Sequence, residues 1–263
     1  MAEYIGTSKG EDFRDLFDLS REDDVMDGLG GDDIIDGYLG DDTISGYDGD
    51  DTINGGKDDD YIEGEEGEDR LFGYDGDDSL YGGIGDDLVS GEEDDDILYG
   101  GSGEDTIKGG DGEDTLYGEK DDDILQGGRD DDLISDAFGS NELFGESGED
   151  TLLGGEERDT LSGGYGDDTL EGKDGDDILN GGLGADTFVF TTIDDIGVDI
   201  IEDFFFDEGD KIEISAEGFE IDTDEIDRFE FDSSSREVLF DDEPFAVIEG
   251  NDDFIPADDI DIV

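Results

Sequence analysis

The chain has 263 residues, and its 89 Asp and Glu against 13 Lys and Arg give a formal charge of −76, a surface that repels nucleic acid and anionic lipid. Cysteine and histidine are absent, which excludes disulfides, thiolate chemistry, metal ligation by those residues and His-based triads. With 45 glycines and 32 % hydrophobic residues, a shuffled chain of this composition would be disordered, so any fold must come from order within the sequence.

In chain order, the first segment, "MAEYIGTSKGEDF", lacks the basic and then apolar pattern of a secretory signal. No apolar stretch approaches the ~20 residues of a membrane span. Residues 1–27 keep a weak nine-residue phase, with Asp15 and Asp24 at the sixth place and Phe17 and Met26 at the eighth. They are expected to form a degenerate N-terminal capping coil.

From Gly28 to Val189 the phase is strict: eighteen nonapeptides follow without insertion or deletion. Position one is Gly except at Asp136, and position six is Asp except at Asn141. Position eight is always apolar, from Ile35 and Ile44 to Phe188. Position four is Gly, or Asp at 58, 94, 121 and 130, or Glu157; Asp tolerates the left-handed backbone that glycine supplies. A six-residue turn followed by a three-residue strand with one inward side chain accounts for each unit. Two units make an 18-residue coil, and coils stack at roughly 4.8 Å. The expected fold is all-β: a right-handed parallel β-roll, or β-solenoid, over 28–189.

Hydrophobic burial alone is too small for this design. Each coil buries about two aliphatic side chains, contributing roughly 3–6 kcal/mol. Ordering its 18 residues costs on the order of 20 kcal/mol. Stacking also sets Asp33 above Asp51 and Asp69, and Asp42 above Asp60 and Asp78, in two columns that repel unless cations lie between them. Carboxylates and exposed loop carbonyls are hard oxygen ligands suited to Ca²⁺, and no soft or imidazole ligand is present for zinc or copper. Binding and folding are therefore expected to be one event.

Units such as "GGSGEDTIK" (100–108), "GGDGEDTLY" (109–117) and "GGLGADTFV" (181–189) resemble the glycine- and aspartate-rich nonapeptide of the repeats-in-toxin (RTX) family, a calcium-binding β-helix repeat. The resemblance implies a β-roll with calcium ions between successive turns on each edge, held by position-six carboxylates and loop carbonyls. Carried onto this chain, the metal ligands are Asp33, Asp42, Asp51, Asp60, Asp69, Asp78, Asp87, Asp96, Asp105, Asp114, Asp123, Asp132, Asp150, Asp159, Asp168, Asp177 and Asp186.

Residues 190–263 hold most of the Phe and alternate apolar with acidic residues, as in "RFEFD" and "VLFDD". This predicts a small antiparallel β cap on the open end of the roll. "DIIEDFFFDEGDKIEIS" (199–215) and the acidic, hydrophobic C-terminus also resemble the end of proteins exported by type I secretion. That implies an extracellular location without an N-terminal signal.

Within the array, Asn141 and the Glu157–Arg158 pair fall on one edge. Two readings stand: tolerated drift, or a lost or weak calcium site with the Arg158 guanidinium in place of the ion. Tyr81, Tyr99 and Tyr117 share position nine and should stack as an outward ladder, either as cross-strand packing or as a sugar or surface contact. Threonines at position seven form no unbroken row, which argues against an ice-binding face. The acids at position five (Asp41, Asp50, Asp59, Glu68) exceed what calcium would neutralise; they are read as solvated and adapted to high salt, as in a halophile.

The function expected is that of a secreted, non-catalytic calcium-binding protein, structural or interactive, whose partners beyond calcium are a cell surface, a polysaccharide or itself. The alternatives are an adhesin or surface-layer component, or the accessory module of an RTX protease, lipase or epimerase. Only 27 residues precede the array, which argues against a catalytic domain.

Overall fold

The computed structural model describes residues 3–5, 23–192, 197–205, 209–222, 225–249 and 259–263. Asp15 and Phe17, with most of the expected N-terminal coil, lie outside the described residues. Two compact units are present, Met1–Ile134 and Ser135–Val263.

In the first unit the nonapeptides alternate between two parallel sheets. One contains Thr43–Asp48, Tyr61–Glu66, Ser79–Ile84, Ile97–Ser102 and Thr115–Lys120. The other contains Thr52–Lys57, Arg70–Asp75, Leu88–Glu93 and Thr106–Asp111. Each strand pairs with the one 18 residues away, so Leu80, Leu98 and Leu116 lie side by side, as do Ile53, Leu71 and Val89. These position-eight side chains are wholly buried. At the front, Glu3–Ile5 pairs in parallel with Val25–Gly30, and Met26 continues the inward column at 2 % exposure.

The strands are longer than the sequence predicts. Most run six residues, from position seven through position three of the next unit, because the glycine-rich segment stays hydrogen-bonded to its neighbour coil. The ladder skips only position one, as between Tyr81↔Tyr99 and Gly83↔Gly101. The true turn is confined to positions four to six. Position two nevertheless takes positive φ even where it is Tyr38 (75°), Tyr47 (77°) or Glu65 (80°). Asp58, Asp94, Asp121 and Asp130 at position four also adopt the left-handed region, at φ 68–76°.

The second unit is built the same way from Glu142–Ser147, Thr160–Tyr165 and Ile178–Leu183 in one sheet and Thr151–Leu153, Thr169–Glu171 and Thr187–Phe190 in the other. Parallel pairing continues past residue 189. Asp199–Ile201 adds to Ile178–Leu183, and Lys211–Ile214 followed by Ile260–Ile262 adds to Thr187–Phe190. Glu243–Ile248 extends the first of these in parallel and begins an antiparallel meander with Glu237–Phe240 and Phe229–Asp232. The meander carries an aromatic cluster in which Phe219, Phe229, Phe240 and Phe245 pack at ring-centroid distances of 5.0–6.1 Å. Arg228 lies 4.4 Å over the Phe240 ring and pairs with Asp241. Among the described residues no helix is long and apolar enough to cross a membrane.

Candidate metal centre

All seventeen aspartates singled out from the sequence are buried, none more than 3 % exposed. The register that pairs the strands aligns them in columns. In each column one carboxylate oxygen, Oδ1, accepts the main-chain N–H of the position-six residue 18 places earlier. Asp33 N–H donates to Asp51, Asp51 to Asp69 and Asp69 to Asp87, each at 2.7 Å. Asp42 donates to Asp60, Asp60 to Asp78 and Asp78 to Asp96, at 2.7–2.8 Å. In the second unit Asp150 donates to Asp168, and Asp159 to Asp177. The carboxylate thus belongs structurally to the coil beneath it.

The second oxygen has a different fate. Oδ2 of Asp42, Asp51, Asp60, Asp78, Asp96 and Asp168, among others, is buried and makes no hydrogen bond. A buried carboxylate oxygen left unmet costs several kcal/mol unless protonated or paired with positive charge. Burial, reinforced by neighbouring carboxylates, pushes the pKa of Asp42, Asp51 and Asp78 up to about 7, of Asp60 to about 8 and of Asp96 to about 9, although the accepted amide hydrogen bond works against this.

The orphaned oxygen shares its space with a main-chain carbonyl of the next coil. A methyl group on Gly37 would lie 2.5 Å from both Asp42 Oδ2 and Gly55 O. On Gly82 it would lie 2.6 Å from both Asp87 Oδ2 and Gly100 O. Position one is glycine because any Cβ would fill this oxygen-lined cradle. Among the described residues no three carboxylates gather into a metal cage; the donors are one carboxylate per nonapeptide with loop carbonyls. That hard, all-oxygen set fits Ca²⁺ by its chemistry.

Three features escaped the sequence reading. The exposed position-five acids also work between coils, in the opposite direction. Oδ1 of Asp50 accepts the Glu68 N–H at 3.0 Å, Oδ1 of Asp86 that of Glu104 at 3.0 Å, and Oδ1 of Asp95 that of Glu113 at 2.9 Å. Adjacent acids at five and six therefore clamp the coil above and the coil below.

The columns also outlast the repeats. Asp177 N–H donates to Asp199 and Asp186 N–H to Asp210, each at 3.0 Å, across 22 and 24 residues. The signal was present in "DII" and "DKI", which keep the repeat's Asp-x-Ile after the period is lost. The third feature lies on the edge carrying Asn141, where the sequence pointed to the Arg158 guanidinium and the structure uses a main-chain amide instead. Arg158 is exposed there, and the group that meets Asp159 Oδ2 is the Gly155 N–H, at 2.8 Å.

The tyrosine ladder forms as expected, with ring centroids 4.7 Å apart for Tyr81–Tyr99 and 4.9 Å for Tyr99–Tyr117. The rings cover one another's faces.

No curated protein sequence matches this chain. The sequence pattern of the RTX calcium-binding nonapeptide repeat matches in ten overlapping stretches, from 10–44 to 153–188, which together span residues 10–188. Stacked parallel coils, buried aspartate columns and this match over more than half the chain lead to one conclusion: the chain belongs to the RTX calcium-binding nonapeptide-repeat family.

Proposed function

We propose that the chain is a secreted, non-catalytic calcium-binding protein whose coils order when Ca²⁺ enters between stacked loops. The ligands in this reading are position-six carboxylates such as Asp42, Asp60, Asp78 and Asp96, together with the loop carbonyls that share their cradles. The observation that carries it is the row of buried Oδ2 atoms with no hydrogen-bond donor, as at Asp42, Asp60, Asp78 and Asp96, which at Asp42 and Asp78 share their space with a carbonyl of the next coil. Calcium supplies the positive charge those oxygens lack. Residues 190–263 serve in this reading as a stacking cap and carry the export signal. The surplus of exposed acids keeps the surface solvated at high salt. The tyrosine ladder is read as packing, since its ring faces are already taken.

Calcium titration of the metal-stripped chain, followed by circular dichroism and small-angle scattering, tests this reading. The expected outcome is a gain of strand signal together with compaction. Equal strand content and equal dimensions in excess EGTA and in excess calcium would rule the reading out. Growth of particle mass with calcium would instead favour an adhesin or surface-layer role through self-association.

A further inference from the structure

The repeat 154–162 departs from its neighbours in a way that bears on metal occupancy. In sixteen of the eighteen repeats position two takes positive φ; the exceptions are Ala137 and Gly155, in the stacked repeats 136–144 and 154–162. The loop before it is set by Asp136, whose Oδ1 accepts the N–H of Ala137 at 2.7 Å and of Phe138 at 3.4 Å. The Ala137 carbonyl then accepts the Glu156 N–H at 3.1 Å. A Cβ on Gly155 would lie 2.4 Å from that carbonyl, so glycine is required there for close approach.

The consequence is a reoriented peptide. In the regular repeat at 37–45, the position-two N–H of Tyr38 goes to the Gly55 carbonyl of the next coil at 2.8 Å. The Gly155 N–H goes instead to Asp159 Oδ2 at 2.8 Å. The cradle is otherwise preserved: a methyl on Gly154 would lie 2.7 Å from Asp159 Oδ2 and 2.6 Å from Gly172 O. What has changed is that the carboxylate oxygen has its donor, and the positive end of an N–H dipole points where a cation would sit.

The charges around it change in the same sense. Position six of the coil below is the neutral Asn141, whose Nδ2 donates to Gly139 O at 3.3 Å and whose N–H donates to Asp159 Oδ1 at 2.8 Å. Position five is Arg158, and Ser140 in the stacked repeat 136–144, where most repeats carry an acid. Lys173 acts on the Asp159 carboxylate and Arg158 on that of Asp177. Asp159 thus has both oxygens met by main-chain amides and two cations on its own edge.

We infer that the calcium file of this edge is interrupted at Asp159, and that the repeat 154–162 closes on main-chain amides without an ion. The inference rests on the calcium reading above. Its role would be a metal-independent step within the second unit, able to order before the coils that need calcium.

Crystals of the full chain grown in calcium chloride, examined by anomalous difference density, provide the test. The expected result is an ion beside Asp78 Oδ2 and Asp168 Oδ2, within about 2.3–2.6 Å, and none beside Asp159 Oδ2. An ion bound to Asp159 overturns the inference. Absence of ions at every column overturns the calcium reading, and this inference with it. In solution, equilibrium dialysis should show Asp159→Asn binding as many calcium ions as the native chain and Asp168→Asn binding fewer. Equal losses in the two variants would again overturn it.

Discussion

The regular coils of the first unit and the C-terminal stretch of the second use the same residues toward opposite ends. In the coils each nonapeptide buries one aliphatic side chain, such as Ile44 or Leu80, and one aspartate, and at Asp42, Asp60, Asp78 and Asp96 one of its oxygens is left unmet. In the C-terminal stretch buried aromatics such as Phe219 and Phe245 join the aliphatics, and Asp203 and Asp210 are closed by protein. Asp203 accepts the N–H of Gly181 and Gly182, and Asp210 accepts those of Asp186 and Phe205. In the calcium reading, a buried aspartate takes a cation where the main chain offers it one amide instead of two. Asp159 shows that the switch can be made inside the array by turning a single peptide.

The largest effect should separate these regions directly. Chelation at pH 8 is expected to abolish amide-exchange protection in the strands between Thr43 and Arg129 while Phe229–Asp232 and Glu243–Ile248 keep part of theirs. Simultaneous loss in both stretches would show that the aromatic cluster does not hold on its own. With calcium removed, pH becomes the second lever. The carboxyls of Asp51, Asp78 and Asp96 sit well above their unfolded value of about 3.9, so the folded coil holds more protons than the unfolded chain. Its stability therefore falls as pH rises from about 4 to the folded values of about 7 to 9. Metal-stripped protein should show more strand signal at pH 5 than at pH 8; the reverse order would contradict the burial of unpaired oxygens.

Single substitutions follow. Phe245→Ala should cost about 3–5 kcal/mol in calcium, measured by denaturant unfolding, because Phe245 is fully buried against Phe190, Phe219 and Phe229. Its effect should not depend on calcium concentration. Gly82→Ala should cost on the order of 2–4 kcal/mol and lower calcium affinity as well, since its methyl would press on Asp87 Oδ2 and Gly100 O. If Gly82→Ala left calcium binding unchanged, the cradle would not be the site.

Much of this was legible in the nonapeptide phase. An unbroken period places every Ile35-like residue inward and every Asp33-like residue in a column, since stacking at 18 residues leaves no freedom of register. The length of the strands was not legible. Whether Gly82 and Gly83 turn or pair depends on hydrogen bonds to a neighbouring coil, and composition reads glycine as turn in either case. Asp199 and Asp210 were hidden because the column spacing lengthens from 18 to 22 and 24 residues, which breaks the period while the strands realign. The closure at Asp159 depends on peptide orientation at Gly155, which packs on the Ala137 carbonyl and the loop capped by Asp136 in the stacked repeat. No local pattern around Asp159 carries that information.

The smallest expected effect concerns the position-five acids, where two contributions oppose one another. Asp95 accepts the Glu113 N–H at 2.9 Å, and an exposed hydrogen bond of this kind contributes about 0.5–1.5 kcal/mol. It also places a charge among Asp77, Asp94 and Asp96, whose repulsion is removed with it. Asp95→Asn keeps an acceptor and loses the charge; Asp95→Ala loses both. The gap between the two variants should stay at about 1 kcal/mol at any ionic strength, because it reports the hydrogen bond. The gap between Asp95→Asn and the native chain should favour the variant in dilute buffer and vanish near 1 M salt, where the screening length is about 3 Å. A native chain more stable than Asp95→Asn even in dilute buffer would mean that this carboxylate, too, is neutralised by an ion, and that the file of cations is wider than one per cradle.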